Sequence, residues 1–280
     1  RTRVIPARIF ARKPTGGRVE ILLLKKREAN TWEALVGGKK MQPGTTAQVE
    51  GGPQVEVIES LEGSQRLVTF SEPIDPFLAN IGQMPLPPYI HEKLQNPERY
   101  QTVFSRDPGS AAAPTAGLHF TPQLMDDLRG RGVAFVDVTL HVGLDTFAPV
   151  TEDDPEQHQI HTEWCEVTPE AAQKIRTAKG NGGRIIAIGT TSVRTLESAA
   201  RSAKPEEIIL PIQQATDLFI LPGFHFKVVD AMVTNFHLPR STLLMLVSAF
   251  AGREKILAAY EEAVRQEYRF YSFGDAMLIL

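Results

Sequence analysis

The hydrophobic rhythm of this chain changes once, and that change limits what it can fold into. From residue 18 to residue 70 the apolar residues come in short, β-branched runs: Arg18–Lys26, Trp32–Val36, Gln54–Ile58 and Arg66–Phe70. Turn residues close each run: Pro14 to Gly17, Gly37-Gly38, Pro43-Gly44, Gly51 to Pro53 and Gly63-Ser64. Strands this short and this regularly spaced predict a small barrel or sandwich. Pro73, Pro76, Pro85, Pro87 and Pro88 follow. Proline fixes φ and removes an amide donor, so Pro85 to Tyr89 predicts a domain boundary. A small all-β domain is expected over residues 1–85, and a second domain over residues 86–280.

Beyond that boundary the period becomes helical. Thr121 is a candidate N-cap with Pro122 at the first helical position, and Leu124, Met125 and Leu128 share one side. Val133–Val142 predicts a strand, with Val136, Val138, Leu140 and Val142 on one face and Asp137, Thr139 and His141 on the other. Pro169–Lys179 predicts a helix, Arg184–Ile188 a buried strand, and Thr190–Ser192 the start of another helix. Ile256, Leu257, Tyr260, Ala263, Val264 and Tyr268 predict the apolar face of a last helix. Alternating helices and strands predict an α/β main domain.

Composition narrows the class. Apolar residues are 42% of the chain, enough for a full core, and apolar runs such as Leu243–Val247 stop at five residues. The single cysteine, Cys165, excludes an internal disulfide and a thiolate-rich metal site, and predicts a small buried hydrophobe. A soluble protein of the reducing cytoplasm is expected. Net charge is −3, yet residues 1–40 hold eleven Lys or Arg against Glu20, Glu28 and Glu33. That is +8 on one segment and −11 on the rest. The split points to a face for a polyanion, with Arg12, Lys13, Lys25, Lys26, Lys39 and Lys40 as the contributors that flank turns. A solvated strand surface is the alternative reading of the same charges.

No glycine-rich dinucleotide fingerprint, phosphate loop or zincin motif occurs. His158 and His161 with Glu163 form one conceivable metal set, but their acidic loop favours surface histidines. Four polar clusters at the ends of apolar segments are better candidates. They are Pro114-Thr-Ala-Gly-Leu-His119-Phe120, His141-Val-Gly143, Gly189-Thr-Thr-Ser-Val-Arg194, and Thr234-Asn-Phe-His-Leu-Pro239 with Ser241 and Thr242. Hydroxyls, helical N–H groups and a guanidinium in the third suit a carboxylate or phosphate. His119, His141, Thr191, Arg194, Asn235 and His237 are expected to converge on one pocket at a sheet edge.

These stretches, with Gly189-Thr-Thr-Ser-Val-Arg-Thr-Leu-Glu-Ser198, Ser241 to Gly252 and Gly274-Asp-Ala-Met277, resemble a known family along the whole chain from Thr2-Arg-Val-Ile-Pro-Ala-Arg8. That family is the S-adenosylmethionine:tRNA ribosyltransferase-isomerase (QueA) family of queuosine biosynthesis. The resemblance implies an α/β main domain plus a small all-β barrel domain. It also implies transfer and isomerisation of the ribosyl moiety of S-adenosylmethionine onto 7-aminomethyl-7-deazaguanine in tRNA, giving epoxyqueuosine-tRNA, adenine and methionine. S-adenosylmethionine is then a consumed substrate, tRNA is the partner, and neither cofactor, metal nor membrane is expected. The resemblance implies nothing about oligomeric state. Family members carry a segment ahead of the Thr2-Arg-Val-Ile-Pro stretch, and a chain that begins at Arg1 is expected to lack it. Asp145 departs from the family pattern, and the Gly37-Gly38 and Gln213–Thr216 stretches are shorter than usual.

Such a reaction needs a base for the proton beside the sulfonium and an acid for the departing adenine. His119, His141 and His237 are the expected proton-transfer groups. Thr190, Thr191, Ser192 and Arg194 are expected to hold an anionic group, either the methionine carboxylate or a tRNA phosphate. Thr115, Gly117 and Asn235 are expected at the base or ribose. Asp275 is expected to orient a histidine or the ribose hydroxyls, with a plain turn residue after Gly274 as the alternative. Two other classes compete: a non-catalytic RNA-binding module, and another S-adenosylmethionine-dependent transferase.

Overall fold

The computed structural model describes residues 1–280 apart from 91, 93, 144–149, 153, 159, 161, 202 and 205. By contacts the chain divides into two units. One comprises residues 3–98 and 108–112, the other residues 1–2, 99–107 and 113–280.

The first unit is built on a closed, antiparallel, six-stranded barrel. Strand β1 (Thr2–Val4) precedes it. The barrel strands are β2 (Arg8–Arg12), β3 (Arg18–Lys26), β4 (Thr31–Gly37), β5 (Thr46–Val49), β6 (Gln54–Ser60) and β7 (Gln65–Phe70), closing in the order β2-β3-β4-β7-β6-β5. Period-two burial explains the closure. Ile9 and Ala11, Trp32, Ala34 and Val36, Ala47 and Val49, Val55 and Val57, and Val68 and Phe70 all point inward. Closure leaves no open edge among these six strands. The pairing of β3 with β4 shifts register between Leu23 and Lys25. Ahead of the bulge Ile21 and Leu23 share one face and Leu22 is buried on the other; past it Lys25 and Lys26 are both exposed. Helix α1 (Asp75–Ile81) and strand β8 (Asp107–Ser110), which pairs with β1, follow. Gly82 ends α1 where a β-carbon would meet the carbonyl oxygens of Pro6 and Leu78, so only glycine fits.

The second unit mixes helices with two three-stranded sheets. β9 (Thr139–Leu140), β10 (Glu163–Val167) and β12 (Ile212–Thr216) form one antiparallel sheet in the order β12-β10-β9. β11 (Ile186–Ile188), β13 (Ala231–Asn235) and β14 (Ala276–Ile279) form the other, with β11 and β13 parallel and β14 antiparallel. The helices are α2 (Pro122–Gly130), α3 (Pro169–Gly180), α4 (Thr190–Arg201), α5 (Thr242–Ala251) and α6 (Arg253–Arg265). Thr121, Thr168 and Ser241 cap α2, α3 and α5 by accepting the N–H three residues on. One core unites Val167, Ile175, Val193, Leu196, Ile209, Met232, Val247 and Ile256. Among the described residues no helix is long and apolar enough to cross a membrane.

Three expectations are corrected. The strand expected over Val133–Val142 shrinks: Glu166 and Cys165 of β10 pair with Thr139 and Leu140. The latter two are buried, and Val136 and Val138 instead pack half-buried on the helical core. The buried strand expected over Arg184–Ile188 is three residues long and lies at its sheet's edge, with Ile186 43% exposed. The apolar face of α6 narrows to Ile256 and Ala263, with Tyr260 beside them. Leu257 and Val264 face solvent, and Tyr268 lies past the helix end.

Candidate active site

Parallel strands β11 and β13 deliver two polar segments to one place. Gly189, which follows β11, takes a φ of +87° and donates its N–H to Val233 O at 2.8 Å. A side chain there would stand 3.4 Å from both Ala116 Cβ and Thr191 Oγ1. The glycine thus lets the start of α4 lie against the turn Thr115–His119. Asn235 ends β13 beside the same turn. Its Oδ1 accepts from Thr115 Oγ1 at 3.0 Å, and its Nδ2 donates to His119 Nε2 at 3.0 Å and to the Tyr271 carbonyl at 3.2 Å.

The Tyr271 carbonyl can only accept, which fixes the Asn235 amide with Nδ2 facing it. The same Nδ2 then requires His119 Nε2 to be the acceptor, so the ring carries its proton on Nδ1. Burial pushes the His119 pKa down, partly opposed by the Asp275 carboxylate and assisted by Arg269. The result is a neutral imidazole with a fixed tautomer.

Tyr271 is itself unusual, with a φ of +71° that a bulky residue rarely adopts. It is held there by a clasp. The Asp275 carboxylate accepts from Arg269 N at 2.8 Å and from Arg269 Nη2 at 2.8 Å, and the Asp275 N–H returns to Arg269 O at 2.7 Å. Arg269 holds the Asp275 carboxyl below the usual range. Gly274 completes the loop where a β-carbon would strike the backbone of Arg269 and Phe270. Asp275 therefore shapes the loop that presents the Tyr271 carbonyl to Asn235.

Arg194 stands elsewhere on α4, in a second polar centre. Its Nη1 pairs with Glu163 Oε2, its Nε donates to Leu218 O at 3.1 Å, and the residue is 8% exposed. Glu163 Oε1 accepts the Gly143 N–H at 2.9 Å. Both side chains line a cavity with His158, Leu218, Phe219, Leu243 and Leu246. Glu163 was considered only as a metal partner in the sequence. Its signal is its position: Glu163, Cys165 and Val167 occupy the buried face of β10, where a carboxylate demands a cation.

The other expected residues separate. His237 is a core residue. Its Nε2 meets Thr234 Oγ1 at 2.9 Å, its N–H donates to the Tyr260 hydroxyl at 2.7 Å, and burial pushes its pKa down to about 4. Among the described residues it shares no hydrogen bond with Asn235 or His119. His141 bonds Thr2 Oγ1 at 2.8 Å through Nδ1 and stacks on Trp164 at 5.0 Å, without sharing a bond with Asn235 or His119. The described hydrogen bonds thus form one network around Asn235 and another around Arg194 and Glu163. Gly117 makes its close approach to Phe104 and Thr102, not to open space. Thr190 is buried, and Ser192 Oγ donates to Ile188 O at 2.7 Å in the first turn of α4. Cys165 is buried, with its thiol pushed up to about 11 by burial. His158 engages Glu152 at 3.0 Å, whereas His161 and Asp145 lie outside the described residues.

On the barrel, Arg12 pairs with Glu50 at 3.0 Å, Lys26 with Asp75 at 2.8 Å, and Lys13 Nζ donates to Lys39 O. Lys25, Lys39 and Lys40 are exposed, without an ion pair among the described residues.

The family profile described as "Queuosine biosynthesis protein" matches residues 1–279. The chain belongs to the queuosine biosynthesis family. The S-adenosylmethionine:tRNA ribosyltransferase-isomerase of Symbiobacterium thermophilum is 54% identical over 284 residues, covering 100% of this chain and 82% of that protein. That of Carboxydothermus hydrogenoformans is 52% identical over 284 residues, with the same 100% and 82% coverage. A crystal structure of S-adenosylmethionine tRNA ribosyltransferase from Thermotoga maritima is 40% identical, covers 100% of this chain and 80% of that one, and superposes with a TM-score of 0.49. Members of the queuosine family carrying this name are enzymes, and this chain is one of them by descent along its whole length.

Proposed function

We propose that this chain transfers and isomerises the ribosyl moiety of S-adenosylmethionine onto 7-aminomethyl-7-deazaguanine in tRNA, releasing adenine and methionine. The observation that carries the reading is identity of 54% along all of the chain with a ribosyltransferase-isomerase. S-adenosylmethionine is a consumed substrate in this scheme, no metal takes part, and the tRNA substrate makes the reaction cytoplasmic.

The site chemistry supports it. The sulfonium acidifies the neighbouring C5′–H, and adenine leaves only when its ring nitrogen is protonated or hydrogen-bonded. We assign the second role to His119. Its neutral ring keeps a proton on Nδ1 because Asn235 Nδ2 occupies Nε2. Thr115 and Tyr271 fix that amide from both ends, so the donor is oriented before the substrate arrives. The half-buried Thr191, beside the same turn, is assigned to the ribose. The exposed lysines of the barrel are assigned to the tRNA backbone.

Adenine release tests the reading. The full-length protein, given precursor tRNA and S-adenosylmethionine in the presence of a chelator, should liberate adenine and methionine in equal amounts. S-adenosylhomocysteine in place of adenine would make it a methyltransferase, and intact S-adenosylmethionine would make it a binding module.

A further inference from the structure

The Arg194–Glu163 pair combines burial, an orphaned donor and an apolar cavity. We propose that this cavity seats the α-amino-acid end of the sulfonium substrate, with its carboxylate on Arg194 and its ammonium on Glu163. The inference rests on the ribosyl-transfer reading and adds to it the part of the substrate that does not react.

A guanidinium carries five N–H donors in a planar fork. Arg194 directs Nε at Leu218 O and Nη1 at Glu163, while Nη2, though buried, has no partner among the described residues. Buried donors are nearly always satisfied, so an orphan at a cavity wall marks a place for an acceptor. A carboxylate is the acceptor that matches a guanidinium fork. Glu163 decides between acceptors. Its carboxylate touches the guanidinium, so the pair is neutral overall, and a phosphate or simple anion entering there would meet a negative neighbour at contact distance. A ligand that brings both charges meets both partners. Gly143 N–H holds Glu163 Oε1 in place for this at 2.9 Å.

The remaining wall fits an unbranched chain ending in such a zwitterion. Leu218, Phe219, Ile220, Leu243 and Leu246 supply apolar surface. Small-molecule sites typically have mostly apolar walls and few placed polar groups. The methylene chain and sulfur of a methionyl group are of this character.

The test compares two ligands on the unaltered full-length protein in the presence of substrate tRNA: S-adenosylmethionine and its decarboxylated analogue. Loss of a charge-assisted bond should weaken the analogue by about ten- to a hundred-fold. Free methionine should compete with S-adenosylmethionine. Arg194→Lys, which keeps the charge but loses the fork, should shrink the discrimination to about a few-fold. Leu246→Trp, which fills the cavity, should weaken S-adenosylmethionine and methionine together. Equal affinity of the unaltered protein for both ligands, with adenine still released, would overturn the inference and leave the ribosyl-transfer reading standing. Failure to bind S-adenosylmethionine or to release adenine would overturn both.

Discussion

Asn235 sets the tautomer of His119. The amide Nδ2 lies 3.0 Å from the ring Nε2, and the Tyr271 carbonyl at 3.2 Å fixes which way the amide points. Asn235→Asp replaces a donor with an acceptor of nearly the same shape. The ring must then protonate Nε2, and the carboxylate repels the Tyr271 carbonyl. The rate of adenine release should fall by about 10²-fold, the usual scale of one positioned proton-transfer group. Nitrogen NMR of the His119 ring should show the proton moved from Nδ1 to Nε2. An unchanged tautomer with full activity would remove Asn235 from the site.

The Arg269–Asp275 clasp predicts opposite shifts from its two members. Asp275 raises the His119 pKa and Arg269 lowers it. If the neutral ring is the active form, activity grows as pH rises through that pKa. Asp275→Asn should move the acidic limb of the kcat profile to lower pH, and Arg269→Gln should move it higher. Shifts in the same direction would mean that loop distortion, not charge, governs the ring.

His237 predicts acid sensitivity. Its pKa falls from 6.5 in the unfolded chain to about 4 in the buried site. Below pH 6.5 the unfolded state takes up a proton that the folded state refuses, so stability declines as pH falls and levels off near pH 4. The full loss is about 3 kcal/mol, from about 1.4 kcal/mol per pKa unit. Chemical denaturation of the native protein and of His237→Gln between these pH values should show a steeper loss in the native protein.

The barrel predicts a weaker salt dependence than its charge count suggests. Arg12 and Lys26 already hold carboxylate partners, and Lys13 is engaged by a backbone carbonyl. Three phosphate contacts from Lys25, Lys39 and Lys40 give a log–log slope of about −2 on single strands and about −3 on duplex. Lys25→Glu with Lys40→Glu should weaken tRNA binding and leave S-adenosylmethionine binding unchanged. A slope near zero would make the basic segment a solvated face.

Local rules made much of the fold legible. Short apolar, β-branched runs closed by turn residues marked four barrel strands, with β3 predicted to the residue, because turn residues interrupt the chain where strands must reverse. Thr121 placed the start of α2, because orphan N–H groups at a helix start need an acceptor nearby in sequence, and Pro169 marked that of α3. The strands β2 and β5 were not read, since Ile9 and Ala11, or Ala47 and Val49, are too few to stand out without the neighbours that bury them.

The candidate site was legible only as a set of residue types. His119, Asn235 and Thr115 were named from their local sequence, and so were His141 and His237. Nothing within those segments distinguishes a reachable imidazole from one buried against Tyr260 or stacked on Trp164. Burial, tautomer and charge depend on what lies across the fold: 116 residues separate His119 from Asn235, and 31 separate Arg194 from Glu163. The order of elements and their caps belongs to the sequence, because those forces act within a few residues. Which polar side chains meet, and which of them keep a proton, belongs to the tertiary structure, because desolvation and hydrogen-bond partners exist only once distant segments pack together.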